Sequence, residues 1–227
     1  MKLLDREEYS VIRAVLCDAV NHEGGELLVS DEHCAVVRLG DWHKCAFDSV
    51  DSLVEFSKNS GVKEKLCVLG LPLDASEILN VESVACKTFA YTAALPPMLG
   101  KLSVKRLAHT LSGFVADKYD CRGYKATAEH ISEIMTDKGV FGAFIDSKLA
   151  GFIGRHSDGS MGMLTVFDEY KRQGIGQELE KFLINYVMTF GRTPYCDVYV
   201  DNAPSLRLQE KLGLSPALGY TFWIDSL

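Results

Sequence analysis

The segment from Met161 to Gly176 most restricts the fold, because an apolar strand-like run passes through a short loop into a helix that begins at a glycine pair. Gly174 and Gly176 lack Cβ atoms, so a ligand can approach their backbone closely. N–H groups in the first turn of a helix have no intrahelical partners, and the helix dipole favours negative charge there. Lys171 and Arg172 add positive charge. The segment predicts a phosphate or pyrophosphate cradle; glycines that allow close helix–strand packing are the alternative.

The cradle does not follow either of two common nucleotide-binding motifs. The chain has no GxxxxGK[ST] sequence, which excludes a Walker loop. Leu179 stands where the third glycine of a dinucleotide fingerprint would follow Gly174 and Gly176. The pattern is therefore a glycine pair at a helix start, which is weak evidence when taken alone.

The sequence around the cradle alternates strands and helices. Turn-like residues separate three apolar runs, which predicts an antiparallel meander before the cradle. A long amphipathic helix then follows, and a second helix begins at an Asn cap and stops at a glycine. The predicted elements are strands Val140–Asp146, Leu149–His156 and Ser160–Val166, a helix with apolar residues from Ile175 to Phe190, strand Asp197–Val200, helix Asn202–Gly213 and strand Gly219–Ile224.

The first half of the chain is predicted to be α/β, and no chemistry is evident in it. The adjacent prolines Pro96 and Pro97 cannot continue a helix or a central strand, so we predict one domain at 1–97 and another at 98–227. Ser103 is a plausible N-cap for a helix that carries apolar residues as far as Val115. The other predicted elements are a helix over Tyr9–Val20, strands Glu26–Ser30 and His33–Leu39, helix Ser52–Asn59, strand Leu66–Leu71, a short helix Asp74–Leu79, strand Val84–Thr92 and helix Ala128–Thr136.

Composition excludes several classes of protein. The 227 residues are 47% hydrophobic, which argues against disorder, and their net charge of -7 argues against a dedicated nucleic-acid binder. No apolar run is long enough to span a membrane. Seven cysteines are scattered without a CxxC pair, which is typical of reduced thiols in the cytoplasm. We therefore expect a cytoplasmic protein with no nucleic-acid partner, no membrane partner and no metal.

Three motifs, in this order, resemble the GNAT superfamily of N-acetyltransferases. GMLTVFDEY (Gly162–Tyr170) resembles the family's acyl-CoA-binding strand, and KRQGIG (Lys171–Gly176) resembles its pyrophosphate loop. DNAPSLRLQEKLGL (Asp201–Leu214) resembles its second signature, and the Lys-Leu-Gly ending is most similar to the glycine N-acyltransferase-like branch. The resemblance, which is strong from Phe141 to Trp223, implies an α/β (α+β) fold with a mixed, mostly antiparallel sheet flanked by helices. A smaller α/β N-terminal domain would precede it, as a degenerate copy of the same fold that shapes the acceptor cleft.

The resemblance also implies which residues hold acyl-CoA. The backbone of Leu164, Thr165 and Val166 would pair with the pantetheine arm, and an N–H near Val166 would stabilise the developing oxyanion. Asn202 and Ser205 would lie beside the arm near the thioester, although Asn202 is equally suited to cap its helix. The pyrophosphate would be held by Lys171, Arg172, Gln173, Gly174, Ile175, Gly176 and Gln177.

The sequence does not identify the catalytic groups. Gln209 stands where many members have a Tyr that protonates the leaving thiolate, and a Gln side chain cannot act as an acid at neutral pH. The family often has Pro where this chain has Asp168, and Gln or Arg where it has Lys171. Tyr199 and His156 are candidates for catalysis. The thiolate either leaves unassisted, takes a proton from water or another residue, or is never released because the protein only binds acyl-CoA.

The function implied is transfer of an acetyl group from acetyl-CoA to a primary amine by direct attack. The acceptor is a small-molecule or peptide amine that the sequence does not identify, and a homodimer is left open. The alternative is a non-catalytic acyl-CoA sensor or an interaction protein that has kept the GNAT fold.

Overall fold

The computed structural model describes residues 1–119 and 125–227. The helices are α1 Ser10–His22, α2 Val50–Ser60, α3 Ala75–Leu79, α4 Ser112–Lys118, α5 Ala128–Asp137, α6 Ile175–Met188 and α7 Ala203–Leu212. The strands are β1 Glu26–Ser30, β2 Cys34–Leu39, β3 Trp42–Phe47, β4 Glu64–Leu71, β5 Cys86–Ala90, β6 Ser103–Arg106, β7 Val140–Ile145, β8 Lys148–Arg155, β9 Met161–Val166, β10 Tyr195–Tyr199, β11 Ser215–Pro216 and β12 Tyr220–Ser226.

The chain forms two compact units, and the first consists of Met1–Thr92 together with Tyr195–Leu227. Its sheet has the order β1-β2-β3-β4-β12-β5-β10, with β11 also paired to β5. The pairs are antiparallel except for β3 and β4, which run parallel. Ile12 and Leu16 of α1 share one apolar cluster with Tyr195, and Leu53 of α2 shares another with Phe222. Apolar side chains on both faces of the sheet are therefore buried by helices.

Pairing between strands that are far apart in sequence determines which segments of the chain belong to this unit. Tyr195 of β10 pairs with Ala90 of β5, and Ile224 of β12 pairs with Leu66 of β4. The last segment of the chain therefore completes the sheet that the first ninety or so residues begin. This division differs from the predicted domains 1–97 and 98–227, because hydrogen bonds between strands far apart in sequence leave no local pattern.

The second compact unit is Ala93–Pro194. Its four strands form an antiparallel sheet in the order β6-β7-β8-β9. Ile131 and Met135 of α5 share an apolar cluster with Phe152 of β8. The ring of Phe141 on β7 packs against α6, with its centroid 4.6 Å from that of Tyr186. The antiparallel sheet confirms the predicted meander, and α6 is the predicted long amphipathic helix that follows it.

The helix predicted from Ser103 is wrong. Residues Ser103–Arg106 form β6, in which Ser103 pairs with Phe144 and Arg106 with Phe141, and the helix begins only at Ser112. Arg106 also donates from Nη2 to the carbonyl of Met135, 2.7 Å away. Strand pairing with β7 has overridden the local helical pattern. The helix predicted at Ala128–Thr136 is confirmed as α5. None of the described helices is long and apolar enough to cross a membrane.

A histidine beside α2 predicts a pH-dependent stability. His33 Nδ1 lies 2.9 Å from Asp48 Oδ2, and this hydrogen bond raises the pKa of His33 above its ordinary 6.5. The pair therefore stabilises the fold fully below pH 6.5, and the contribution is lost as the pH rises through the folded pKa. We expect urea unfolding to show this fall in the free energy of unfolding, and His33→Gln to flatten it. His22→Gln, at the end of α1, should keep the slope; an NMR titration placing the His33 pKa at or below 6.5 would contradict the prediction.

Candidate functional site

Strand β9 has one free edge. In the described part of the chain it lies at the end of the four-stranded sheet and pairs with β8. Val166 faces Gly151, while the next N–H, that of Phe167, donates to the carbonyl of Ala150 over 3.0 Å. Successive strand residues direct their backbone groups to opposite sides, so the N–H and C=O of Val166 point away from β8. A ligand with amide groups can therefore add to this edge as a strand would.

A β-bulge changes the direction of β9 at this edge. Between the pairs Gly162–Gly154 and Thr165–Phe152, β9 has one residue more than β8, and Met163 has a φ of 57°. A bulge bends its strand and increases its twist. Met163 is buried, whereas Leu164, Thr165 and Val166 are all partly exposed. The predicted pantetheine-binding residues therefore follow the bend and remain accessible.

The turn between β9 and α6 leaves the helix start without a cap. Arg172 and Gly174 have left-handed φ values of 61° and 80°. The N-cap residue is Gly174, which has no side chain with which to cap the helix. The first intrahelical bond runs from the Glu178 N–H to the Gly174 carbonyl, over 3.1 Å. The N–H groups of Ile175, Gly176 and Gln177 therefore have no helical partner, and the helix dipole adds partial positive charge. Such an arrangement of N–H groups suits an anion.

The two glycines of this turn have different reasons to be glycine. A Cβ at Gly174 would meet no described atom within 4 Å, but the positive φ favours glycine there. A Cβ at Gly176 would lie 3.6 Å from Val166 Cγ2 and 3.7 Å from Leu164 Cδ2, which is ordinary van der Waals contact. Close helix–strand packing therefore does not require glycine at position 176. The absence of any described atom within 4 Å of a Cβ at Gly174 leaves room for a ligand there, which favours the cradle interpretation.

Charges around the turn are arranged in local pairs. Lys171 Nζ lies 2.6 Å from Asp168 Oδ1, and this hydrogen bond lowers the pKa of the carboxyl. Both side chains are exposed, so Lys171 can exchange its partner for a phosphate at little cost. Glu178, an acid in the first turn, accepts from Lys181 over 2.8 Å, and that bond lowers the Glu178 pKa. This ion pair reduces the repulsion that Glu178 would exert on a bound anion. Neither ion pair is predicted from the sequence.

The second signature forms α7, in the first compact unit. The Asn202 side chain accepts from the Ser205 N–H over 3.2 Å, so Asn202 does cap its helix, and Gly213 ends it with a φ of 77°. Tyr199 is the last residue of β10, where it pairs with Cys86. The predicted contacts Asn202 and Ser205 therefore belong to one compact unit and the cradle to the other.

His156 lies beside the other end of β9. A Cβ at Gly162 would collide with its ring, and its centroid is 6.3 Å from that of Tyr119. Gly162 precedes Val166 by four residues, which is up to about 13 Å along a strand. If His156 were the base, it would therefore have to act beside the Val166 N–H from a distance or through water. No group of three or more His, Cys, Asp or Glu side chains among the described residues is placed to hold a metal ion.

One family model matches part of the chain. Residues 139–224 match the model of the FR47-like protein family. The matching segment runs from β7 into β12, and includes the turn with its uncapped helix and α7. No curated protein matches the chain.

Solved structures resemble this chain over much of its length at low identity. A Drosophila protein is 15% identical with a TM-score of 0.60, over 84% of this chain and 74% of that one. A GCN5-related N-acetyltransferase from Kribbella flavida is 10% identical with a TM-score of 0.52, over 96% and 95%. A GNAT-family acetyltransferase from Colwellia psychrerythraea is 16% identical with a TM-score of 0.51, over 72% and 65%. The predicted mixed α/β fold of GNAT type, with mostly antiparallel sheets flanked by helices, is confirmed.

Proposed function

We propose that this chain is an N-acetyltransferase that moves an acetyl group from acetyl-CoA to a primary amine. The observation that carries the proposal is the uncapped start of α6 beside the free edge of β9. The helix start suits a pyrophosphate and the strand edge suits a chain of amides. Coenzyme A contains these two groups one after the other. The Lys-Leu-Gly ending of α7 supports the glycine N-acyltransferase-like branch.

The pyrophosphate would accept hydrogen bonds from the uncapped N–H groups at the start of α6 and from the turn before it. Lys171 would exchange Asp168 for a phosphate oxygen, and Arg172 and Gln173 would contribute from the turn. The pantetheine arm would run along β9, with the outward N–H of Val166 facing the thioester carbonyl. No metal is needed for this mode of binding.

In the reaction, the neutral amine attacks the thioester carbonyl, a C–N bond forms and the C–S bond breaks. The tetrahedral oxyanion would be held by the Val166 N–H, and the amine's proton passes to solvent as the thiolate leaves and takes one up. Placing amine and thioester together supplies much of the rate. Tyr199 and His156 remain our candidates for assisting the proton transfers.

We propose a small-molecule or peptide acceptor and a cytoplasmic location. The net charge of -7 favours encounter with a cationic acceptor through long-range attraction. Burial raises the pKa of the Cys34 thiol to about 12. Thiols with raised pKa values stay protonated and resist oxidation. Cys121 lies outside the described residues.

Calorimetric titration of the purified protein with acetyl-CoA tests the proposal, followed by a panel of amines assayed by release of the free CoA thiol. Micromolar binding with thiol release on at least one amine is the expected result. No binding at millimolar acetyl-CoA would overturn the proposal.

The second candidate is a non-catalytic acyl-CoA sensor, and Gln209 in place of the usual acid favours it. A sensor would bind acetyl-CoA equally well but release no thiol with any amine. The amine panel therefore separates the two candidates once binding has been measured.

A further inference from the structure

The segment Pro97–Gly100, which we call the strap, is bound to α6 by two side chains of that helix. Asn185 Nδ2 donates to the Pro97 carbonyl over 2.8 Å, and the Gly100 N–H donates to Glu178 Oε2 over 2.5 Å. Glu178 and Asn185 are spaced i and i+7, so they lie on one side of α6. Two turns of helix rise about 10 Å, which three extended residues also span. The strap therefore runs along this side of α6, in the direction opposite to the helix.

Gly100 has to be glycine for this contact to form. A Cβ at Gly100 would collide with the carboxylate of Glu178, whose atoms are its nearest neighbours. Any larger residue would therefore have to displace either the strap or the carboxylate. The carboxylate is at the far end of a flexible side chain, so it is the group that would move. The glycine thus allows a backbone N–H to reach a side chain that stands in the first turn of α6.

The carboxylate that the strap holds is a negative charge close to the proposed phosphate site. Glu178 follows directly after the three uncapped N–H groups at the start of α6. Its other oxygen, Oε1, accepts from Lys181 Nζ over 2.8 Å. The bond from Lys181 lowers the pKa of Glu178, and the bond from the Gly100 N–H adds to this effect, so the carboxyl is ionised at neutral pH. If this charge were released, it would repel the phosphates of a ligand.

The position of Glu178 around the helix shows on which side its charge is held. A Cβ at Gly176 would face Val166 and Leu164 of β9. Glu178 follows two residues later, and at 3.6 residues per turn it lies about 200° further round the helix. The strap and Lys181 therefore hold the carboxylate on the side of α6 that is opposite β9.

We infer that the strap is a positioning element for coenzyme A, because it keeps the Glu178 carboxylate away from the phosphate-binding turn. The inference rests on the proposed function, since it takes phosphate binding at the start of α6 as given. Gly100 and Glu178 do not contact the ligand, and they act only through the charge that is left near it. Releasing the carboxylate would weaken binding through repulsion, which depends on ionic strength, whereas the effect of a packing defect does not.

Gly100→Ala tests the inference, with 3′-phospho-ADP, the nucleotide end of coenzyme A, as the titrated ligand. We expect the variant to bind it roughly two- to five-fold more weakly, which is the size of one charge interaction at a helix end. The two affinities should become equal in about 1 M salt, where charges are screened within roughly 3 Å. In a Glu178→Gln protein the same methyl group meets a side chain of the same shape without its charge. There, Gly100→Ala should leave the affinity unchanged.

The matched control is Gly113→Ala in α4, where a Cβ would meet no described atom within 4 Å. It adds the same methyl group and should bind 3′-phospho-ADP as the wild type does. Lys181→Met is a second variant, because it removes the other partner of the carboxylate. It should also bind more weakly, and Glu178→Gln should reverse the loss. Melting temperatures check that each protein is folded.

Two results would overturn the inference and leave the proposed function intact. One is equal affinity of the wild type and a folded Gly100→Ala protein at low salt. The other is an equal loss of affinity from Gly100→Ala with and without Glu178→Gln, since that result marks a structural role for the glycine. A wild-type protein that binds neither 3′-phospho-ADP nor acetyl-CoA would overturn both proposals.

Discussion

Replacing Gly176 by tryptophan is expected to abolish acetyl-CoA binding, while replacing it by alanine leaves binding intact. A single Cβ fits at this position, at 3.6 Å from Val166 Cγ2. An indole ring has to extend past that point, into the space above the free N–H groups of the first turn of α6. Alanine also favours a helix more than glycine does. Calorimetric titration of the three proteins with acetyl-CoA measures the difference.

The control for a bulky aromatic is Gly113→Trp, in the first turn of α4, where a Cβ would meet no described atom within 4 Å. It should bind acetyl-CoA as the wild type does. Melting temperatures of all four proteins check that each is folded. Undiminished binding by a folded Gly176→Trp protein would mean that the uncapped helix start does not hold the pyrophosphate.

Local patterns predicted most of the secondary structure. The amphipathic repeat of α6 and the turn residues between β7, β8 and β9 are short-range features, and the structure confirms both predictions. The cap of α7 is also local, because Asn202 bonds to a residue three positions later and Gly213 takes the left-handed conformation that ends a helix. Such features depend on neighbours in sequence, so one sequence is enough to predict them.

Features that depend on distant partners were missed. Trp42–Phe47 was assigned no element, yet it forms β3, where it pairs antiparallel with β2 and parallel with β4. Ser103–Arg106 has a helical pattern but forms β6. The division of the chain into units depends on β10 and β12, which pair with strands more than a hundred residues earlier. None of these pairings has a signature in the strand's own residues.

The candidate site also combines features that the local sequence predicts with features that depend on distant parts of the chain. The glycines and basic residues of the predicted cradle are evident in the sequence, and in the structure they lie in one turn at the start of α6. The outward direction of the Val166 N–H depends on the register with β8 and on the bulge at Met163. The hydrogen bond from Gly100 to Glu178 joins residues that are 78 positions apart. The sequence therefore predicts which residues form the turn, but not the direction in which the backbone groups of β9 beside it point.

A fragment of residues 98–227 is expected not to fold as a unit. It retains β6 to β9, but β10 loses β5, and β12 loses both β4 and β5. Tyr195, Phe222 and Ile224 are buried in the full chain, and each would lose stabilisation of about 2 kcal/mol on exposure. We expect the segment after Pro194 to be unfolded, rapidly exchanging its amide hydrogens and prone to aggregation.

The complementary variant should fold. Ala90 and Tyr195 are antiparallel partners, so Asn-Gly in place of residues 93–194 would join β5 to β10 through a loop of four residues, Tyr91, Thr92, Asn and Gly. We expect this protein to unfold cooperatively in urea, because it contains every strand of the larger sheet. It should not bind acetyl-CoA, because it lacks the cradle. A fragment 98–227 that unfolds cooperatively and binds acetyl-CoA like the full chain would instead favour the domain division predicted from the sequence.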